Sequence, residues 1–133
     1  MRRAWIAILG LLLAQATLAQ DKAKEERLVL PSGIEAYLQE ALRDYVGDGL
    51  VYRFRFVSGA FTGTETFETQ SQDLEFLCNS FAVSQLSGAG AVPSRVVISL
   101  ADQPSEFGQF DPDIIQIFES FSLQDGACIW EMF

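Results

Sequence analysis

Only two cysteines occur in the chain, Cys78 and Cys128, so a single intramolecular disulfide has one choice of partners. An isolated pair in an exported protein usually forms a structural bridge. A redox-active pair is the alternative, but no Cys-x-x-Cys motif is present to lower a thiol pKa. We therefore expect a disulfide that ties the element carrying Cys78 to the end of the chain.

The first residues have the organisation of a secretory signal peptide. Two arginines precede an apolar stretch at residues 4–14, and small residues lead to a cut after Ala19. The stretch is much shorter than the roughly 20 apolar residues of a membrane-spanning helix. We predict a signal peptide over residues 1–19, with cleavage after Ala16 as the alternative, and a periplasmic or secreted mature protein.

The charge balance is strongly acidic, with 18 Asp and Glu against nine Lys and Arg, and a formal net charge of −9. Nucleic acids and anionic lipid surfaces attract basic proteins, because Lys and Arg replace the counterions of the phosphates. We therefore expect no nucleic-acid partner and no stable membrane insertion once the signal is removed. Solubility alone is the simplest explanation of the charge.

The chain contains no histidine, which restricts the chemistry that it can perform. Ser-His-Asp and Cys-His catalytic arrangements are excluded, and so is the commonest metal ligand. Neither a Gly-x-x-x-x-Gly-Lys phosphate loop nor a Gly-x-Gly-x-x-Gly motif occurs. We predict no metal site and no cofactor.

The mature chain begins with a polar lead-in at residues 20–27, and residues 28–133 are predicted to form one globular domain. A β-hairpin is predicted at its start, because the turn residues Pro31-Ser32-Gly33 separate a short apolar run from an alternating segment. Residues 37–44 also fit helical spacing, so a short helix there is the alternative.

The clearest strand signal follows a Gly47-Asp48-Gly49 turn, where apolar and polar residues alternate over residues 50–57. Residues 61–67 place threonine at every second position, which suits the pleated surface of a partner strand. The dense β-branched run at residues 95–100 is typical of a central strand that is covered on both faces.

One principal helix is predicted over residues 71–87, with apolar residues at spacings of three and four. Ser71 or Asp73 can cap its first turn, and glycines followed by Pro93 end it. Cys78 lies on its apolar stripe. After residue 118, an Asp125-Gly126 pair between two apolar runs predicts a C-terminal hairpin.

These elements together predict an α+β fold. A mainly antiparallel sheet of five to seven strands would carry the helix on one face. Cys128 and Trp130 share one face of the last strand and are expected to point into the same core as the helix stripe.

The candidate functional site is the irregular segment at residues 101–113. Glu106, Asp111 and Asp113 could bind a hard cation or act as acid and base, although such clusters arise freely by chance in an acidic chain. Phe107 and Phe110 lack the periodicity of core residues: exposed, they mark a binding patch, and buried, they anchor the loop. Asp111-Pro112-Asp113 could also begin a short helix.

Arg53 and Arg55 form a second unusual feature, because two arginines share one face of a strand in an acidic chain. Side by side they could hold a carboxylate or a phosphate. Pairing with acidic neighbours in the same domain is the alternative and the commoner arrangement.

Several short motifs resemble a family of small exported bacterial proteins of unknown function, DUF6497. They are Leu30-Pro31-Ser32-Gly33, Val97-Ile98-Ser99-Leu100, Phe107-Gly108, Asp111-Pro112, Asp125-Gly126 and Cys128-Ile129-Trp130-Glu131, together with Cys78. The resemblance covers most of residues 28–133 and implies that a helix cysteine is matched with one near the C-terminus. The family has no established activity, so it implies no catalytic residue.

We therefore expect a non-enzymatic exported module that binds a protein or a small ligand through the 101–113 loop, because irregular loops on a rigid scaffold often carry function. A small hydrolase or lyase that uses the loop carboxylates is the first alternative. A structural component of the cell envelope is the second.

Overall fold

The computed structural model describes residues 26–47 and 49–132. The predicted signal peptide, most of the lead-in, Asp48 of the predicted turn and Phe133 lie outside those ranges. The strands are β1 (Leu28–Val29), β2 (Glu35–Val46), β3 (Gly49–Val57), β4 (Arg95–Ala101), β5 (Gln116–Gln124) and β6 (Ala127–Trp130). The helices are α1 (Phe67–Leu77) and α2 (Val83–Gly88), which a π-helical segment at Cys78–Ala82 joins into one continuous rod.

The six strands form one sheet in the order β1-β2-β3-β4-β5-β6. Every neighbouring pair is antiparallel except β3 and β4, which run parallel. Parallel neighbours need a long connection, and the helical rod supplies it between β3 and β4. The predicted α+β fold, with a mainly antiparallel sheet and one principal helix, is confirmed.

The N-terminal hairpin is confirmed, and β2 is strand throughout. β1 pairs with the start of β2 across the predicted turn, where Gly33 has φ of 95° and its N–H donates to the Leu30 carbonyl. β2 then pairs with β3 along nearly its whole length. The alternative helix at residues 37–44 is therefore wrong, because the backbone N–H and C=O groups of this segment form hydrogen bonds with β3 and not within a helix.

The helical rod packs on one face of the sheet and forms the main core with it. Phe81 from the rod meets Phe54 and Phe56 of β3 edge to face, at centroid distances of 6.3 and 5.5 Å. Alternate residues along each strand point to this helix-covered face. The fully buried side chains there include Leu74, Leu77, Val96, Ile98, Leu100 and Phe121.

The strand predicted at residues 61–67 is wrong, and the helix begins four residues earlier than predicted. The Thr62 hydroxyl donates to the Glu65 carboxylate at 2.9 Å, so this threonine satisfies a local turn instead of pairing in a strand. Thr66 is the N-cap, and its Oγ1 accepts the Thr69 N–H at 3.2 Å. Ser71 and Asp73, the predicted caps, lie inside α1. Asp73 instead accepts the Ser32 N–H and hydroxyl, which ties the first hairpin to the helix.

The Cys78–Cys128 disulfide is present and joins the π-helical segment to β6. Both cysteines are buried. The Cys128 N–H donates to the Asn79 side-chain oxygen at 2.9 Å, so the helical rod holds β6 through a hydrogen bond as well. Trp130, expected in the core, is half exposed and packs against Phe67 at the start of α1, with a centroid distance of 5.9 Å.

The C-terminal hairpin is confirmed, with Asp125 and Gly126 as its two turn residues. Both have positive φ, 52° and 77°, as the two central residues of a type I′ turn require. β6 pairs with the second half of β5. The predicted central strand is confirmed as well: β4 lies between β3 and β5, and six of its seven residues are buried.

Candidate functional site

The connection from β4 to β5 covers the sheet face opposite the helical rod. This segment, residues 102–115, is called the cover loop below. Hydrogen bonds close its base: the Asp102 N–H donates to the Ile115 carbonyl at 3.1 Å, and the Ile115 N–H donates to Asp102 Oδ1 at 3.0 Å. The cover loop therefore leaves and rejoins the sheet at one fixed place.

A β-bulge in β2 supplies part of the site. Leu38 pairs with Phe56 and Glu40 pairs with Arg55, so Gln39 is an extra residue in this strand. A bulge redirects the side chains beside it. The Gln39 side chain donates to the Ser105 carbonyl at 2.6 Å, and Gln39 Oε1 accepts the Ser105 N–H at 3.3 Å. The bulge thus fixes one end of the cover loop.

Arg55 is a structural cation in this arrangement. Its guanidinium forms an ion pair with Glu40, and it donates to Ser105 twice, to the carbonyl at 3.1 Å and to the hydroxyl at 2.7 Å. The Arg55 side chain is only 7% exposed. A buried charge needs such partners, because desolvation without them is costly. For Arg55, the expected pairing with an acidic neighbour is confirmed.

Arg53 lies beside Arg55 on the same face of β3 and has different neighbours. Among the residues that the structure describes, it forms no ion pair and donates no side-chain hydrogen bond. Its guanidinium carbon lies 5.6 Å from the centre of the Phe107 ring, and that of Arg55 lies 5.5 Å from the same centre. The face of Phe107 therefore meets both cations, an arrangement that is electrostatically favourable.

A cavity of about 300 Å³ lies between the cover loop and the sheet. Ligand pockets begin at about this size. Its charged lining residues are Arg53, Arg55 and Glu106. Its larger apolar walls come from the sheet and from the cover loop: Val97, Phe107, Phe110 and Phe118.

Ser99 of β4 forms the floor of this cavity. It pairs with Arg55 on one side and with Phe118 on the other, so all three side chains point to the same face of the sheet. The residue is only 6% exposed, and its hydroxyl oxygen has no hydrogen-bond partner among the described residues. A buried hydroxyl without a partner is uncommon in native structures.

The predicted site residues divide into two groups. Glu106, Phe107 and Phe110 line the cavity, and both phenylalanines are exposed, Phe107 at 52% and Phe110 at 93%. They therefore do not anchor the loop as buried residues would. Asp111 and Asp113 lie further along the cover loop and outside this cavity.

Asp111 and Asp113 form a turn, and the helix that could begin at Asp111-Pro112-Asp113 is not formed. Asp111 Oδ1 accepts the Asp113 N–H at 2.9 Å, a bond within a local turn that replaces the helical one. The Asp113 carbonyl accepts the Gln103 side chain at 3.1 Å across the loop. Within residues 26–47 and 49–132, no three acidic or cysteine side chains are grouped as a metal ion would need.

A second, more apolar cleft lies at the outer edge of β5. Phe67, Trp130 and Met132 line it, and so does Phe118, which also borders the first cavity. Its charged lining residues are acidic, Glu119 and Glu131. It therefore offers apolar contact without a cation.

Four residues of the site were not predicted from the sequence: Gln39, Glu40, Ser99 and Ser105. Gln39 and Glu40 occupy ordinary positions of an alternating strand, Ser99 lies in a strand that was predicted to be buried, and Ser105 is a small polar residue of the predicted loop. Only the sheet register and the path of the cover loop bring them to Arg55. The sequence signal for the site was limited to the paired arginines, the aperiodic phenylalanines and Glu106 of the acidic loop cluster.

The described part of the chain holds no helix that is long and apolar enough to cross a membrane. No curated protein and no solved structure matches the chain. The family of unknown function DUF6497 matches residues 11–133, which is nearly the whole sequence. The match confirms the resemblance carried by the short motifs, and the chain belongs to the DUF6497 family.

Proposed function

We propose that this chain is a non-enzymatic, exported module that binds a small ligand in the cavity under the cover loop. The observation that carries the proposal is the cavity itself, which has aromatic walls and a charged interior on a rigid sheet. Concave sites with apolar walls and a few polar groups are the usual form of small-ligand sites. Its location in the periplasm or outside the cell is proposed from the signal-like N-terminus and fits the Cys78–Cys128 bridge.

Binding is favoured over catalysis because the loop carboxylates are not arranged as a reacting pair. Asp111 is engaged in its own turn, and Asp113 lies outside the cavity. Of the three predicted carboxylates, Glu106 alone lines the cavity. An acid and base pair needs two groups that face one substrate.

The proposal is tested with a neutral naphthalene dye whose emission shifts to the blue in an apolar site, such as prodan. The protein is recovered from cells that export it, with its disulfide intact. Phe107→Ser should weaken dye binding about tenfold, because it removes an aromatic wall. The variant should remain folded, since Phe107 is half exposed.

Phe67→Ser is the matched control, because it makes the same change at a similarly exposed phenylalanine in the second cleft. It should leave the dye affinity within about twofold of the wild type. The absence of saturable dye binding in the wild-type protein would overturn the proposal. Loss of binding in Phe67→Ser but not in Phe107→Ser would also overturn it, and would transfer the site to the second cleft.

A further inference from the structure

We propose that the ligand carries a carboxylate, which pairs with Arg53 and accepts a hydrogen bond from Ser99, while its apolar body packs between Phe107 and Phe118. This inference rests on the proposed function, since it names the ligand class of the same cavity. Three observations carry it: the different environments of the two arginines, the hydroxyl of Ser99, and the charge balance of the cavity.

The two arginines have different electrostatic roles. The charge of Arg55 is balanced by Glu40, and its Nη1 and Nη2 groups donate to Glu40 and Ser105. Arg53 carries the same charge without an acidic partner in the described residues, and it lines the same cavity. Its guanidinium carbon lies over the Phe107 ring, and its side-chain N–H groups have no acceptor among the described residues, so they are available to a ligand. A planar carboxylate can accept two parallel hydrogen bonds from them.

Ser99 supplies a second donor at the bottom of the cavity. Its neighbour in register, Arg55, directs its guanidinium to Ser105 and Glu40, and the Ser99 hydroxyl has no partner within the described protein. Because an unpaired buried hydroxyl costs free energy, a ligand oxygen that accepts its hydrogen bond gains affinity. Arg53 and Ser99 lie on adjacent strands and on the same face of the sheet.

The charge balance favours a monoanion. The cavity lining carries Arg53, Arg55 and Glu106, and Glu40 pairs with Arg55, so the formal charges of these four groups sum to zero before a ligand binds. The chain as a whole has a net charge of −9, which repels a dianion more strongly than a monoanion. A carboxylate fits this environment better than a doubly charged phosphate. The aromatic walls add contact area for an apolar body.

The test compares naphthoate with naphthamide, two ligands of nearly identical shape that differ in charge. Each is titrated by calorimetry into the exported wild-type protein and into Arg53→Gln. The wild type should bind naphthoate at least about tenfold more tightly than naphthamide, as a charge-assisted hydrogen bond implies. In Arg53→Gln the preference should fall below about twofold, while prodan still binds. Ser99→Ala should reduce the preference by a smaller factor.

Arg43→Gln is the matched charge control. Arg43 is exposed on β2 and pairs with Tyr52, which points to the opposite face of the sheet from Arg53. It changes the net charge by the same amount and should keep the full preference for naphthoate. An equal loss in Arg43→Gln would assign the effect to net charge and overturn the inference.

The outcomes separate the inference from the proposed function. Equal affinities of the wild type for naphthoate and naphthamide, with dye binding that depends on Phe107, would overturn the carboxylate and leave the cavity as a binding site. An unchanged preference in folded Arg53→Gln would remove Arg53 from the site. If the wild type bound neither naphthalene compound nor the dye, both proposals would fail.

Discussion

Loss of the Cys78–Cys128 bridge is expected to lower the free energy of unfolding by about 4 kcal/mol. The bridge closes a loop with a sequence separation of 50. In the chain-entropy description, a cross-link of that span lowers the conformational entropy of the unfolded chain by roughly 14 cal/mol/K, which corresponds to about 4 kcal/mol at 25 °C. Since small domains are stable by only about 5–15 kcal/mol, the loss would be a large part of the total.

The burial of the disulfide determines how its contribution to the free energy of unfolding can be measured. Both cysteines are buried, so a reductant reaches the bridge only when the fold opens. The protein is therefore reduced in urea and refolded in a reductant, and its urea transition is compared with that of the oxidised protein. The slope of unfolding should rise on reduction, because an unfolded chain without the cross-link exposes more surface.

Cys78→Ala combined with Cys128→Ala serves as the control for thiol chemistry. It should resemble the reduced wild type but be somewhat less stable, because two buried sulfurs are also removed. A reduced wild-type protein that lost less than about 1 kcal/mol, with an unchanged slope, would refute the loop-entropy argument. The bridge would then hold β6 locally without stabilising the whole domain.

Two further predictions concern carboxylates. Glu40→Gln removes the counterion of the buried Arg55 and should cost about 2 kcal/mol in urea unfolding, less than in a fully buried pair because the Glu40 side chain is 36% exposed. Glu131→Gln should cost less than about 1 kcal/mol, because its partner Arg95 is partly exposed and lies 3.7 Å away. Burial raises the pKa of Glu65, but hydrogen bonds from Thr62 and the local backbone outweigh it and lower the pKa overall. The stability that Glu65 gives is therefore present above its unfolded pKa of about 4.3, and the difference in melting temperature from Glu65→Gln should vanish as the pH falls through the lower folded value.

The parts of the fold that were predicted correctly are those with a local signal, either the spacing of apolar residues or the residue types of a turn. The stripe around Cys78 identified the helix, and the Asp125-Gly126 turn identified the last hairpin. The start of the helix was misplaced because threonines at alternate positions suit a strand and a capped loop equally well. The Thr66 cap and the Thr62–Glu65 turn show that this segment is a capped loop and not a strand. Both depend on side-chain hydrogen bonds, which the spacing of residue types does not reveal.

The candidate site was predicted only in its most visible residues. Phe107 and Phe110 stood out because they lack periodic neighbours, and Arg53 and Arg55 because cations are scarce. Arg55 has an acidic partner and Arg53 has none among the described residues, because the bulge at Gln39 places Glu40 opposite Arg55. A single extra residue in a strand has no signature in an alternating pattern, so the register could not be read from the sequence.

The location of the site follows from how the sheet buries its two faces. The helical rod covers one face of β4, and the other face needs a different cover, because Val97, Ser99 and Ala101 are buried there too. The cover loop provides it, held by polar bonds at its base and at Ser105 and not by an apolar core. Its tip, with Phe107 and Phe110, is consequently left exposed over the sheet. The cavity under the cover loop combines aromatic walls with the Arg53 cation, whereas the larger cleft at the sheet edge has only acidic charged residues, so the cavity is the stronger candidate for function.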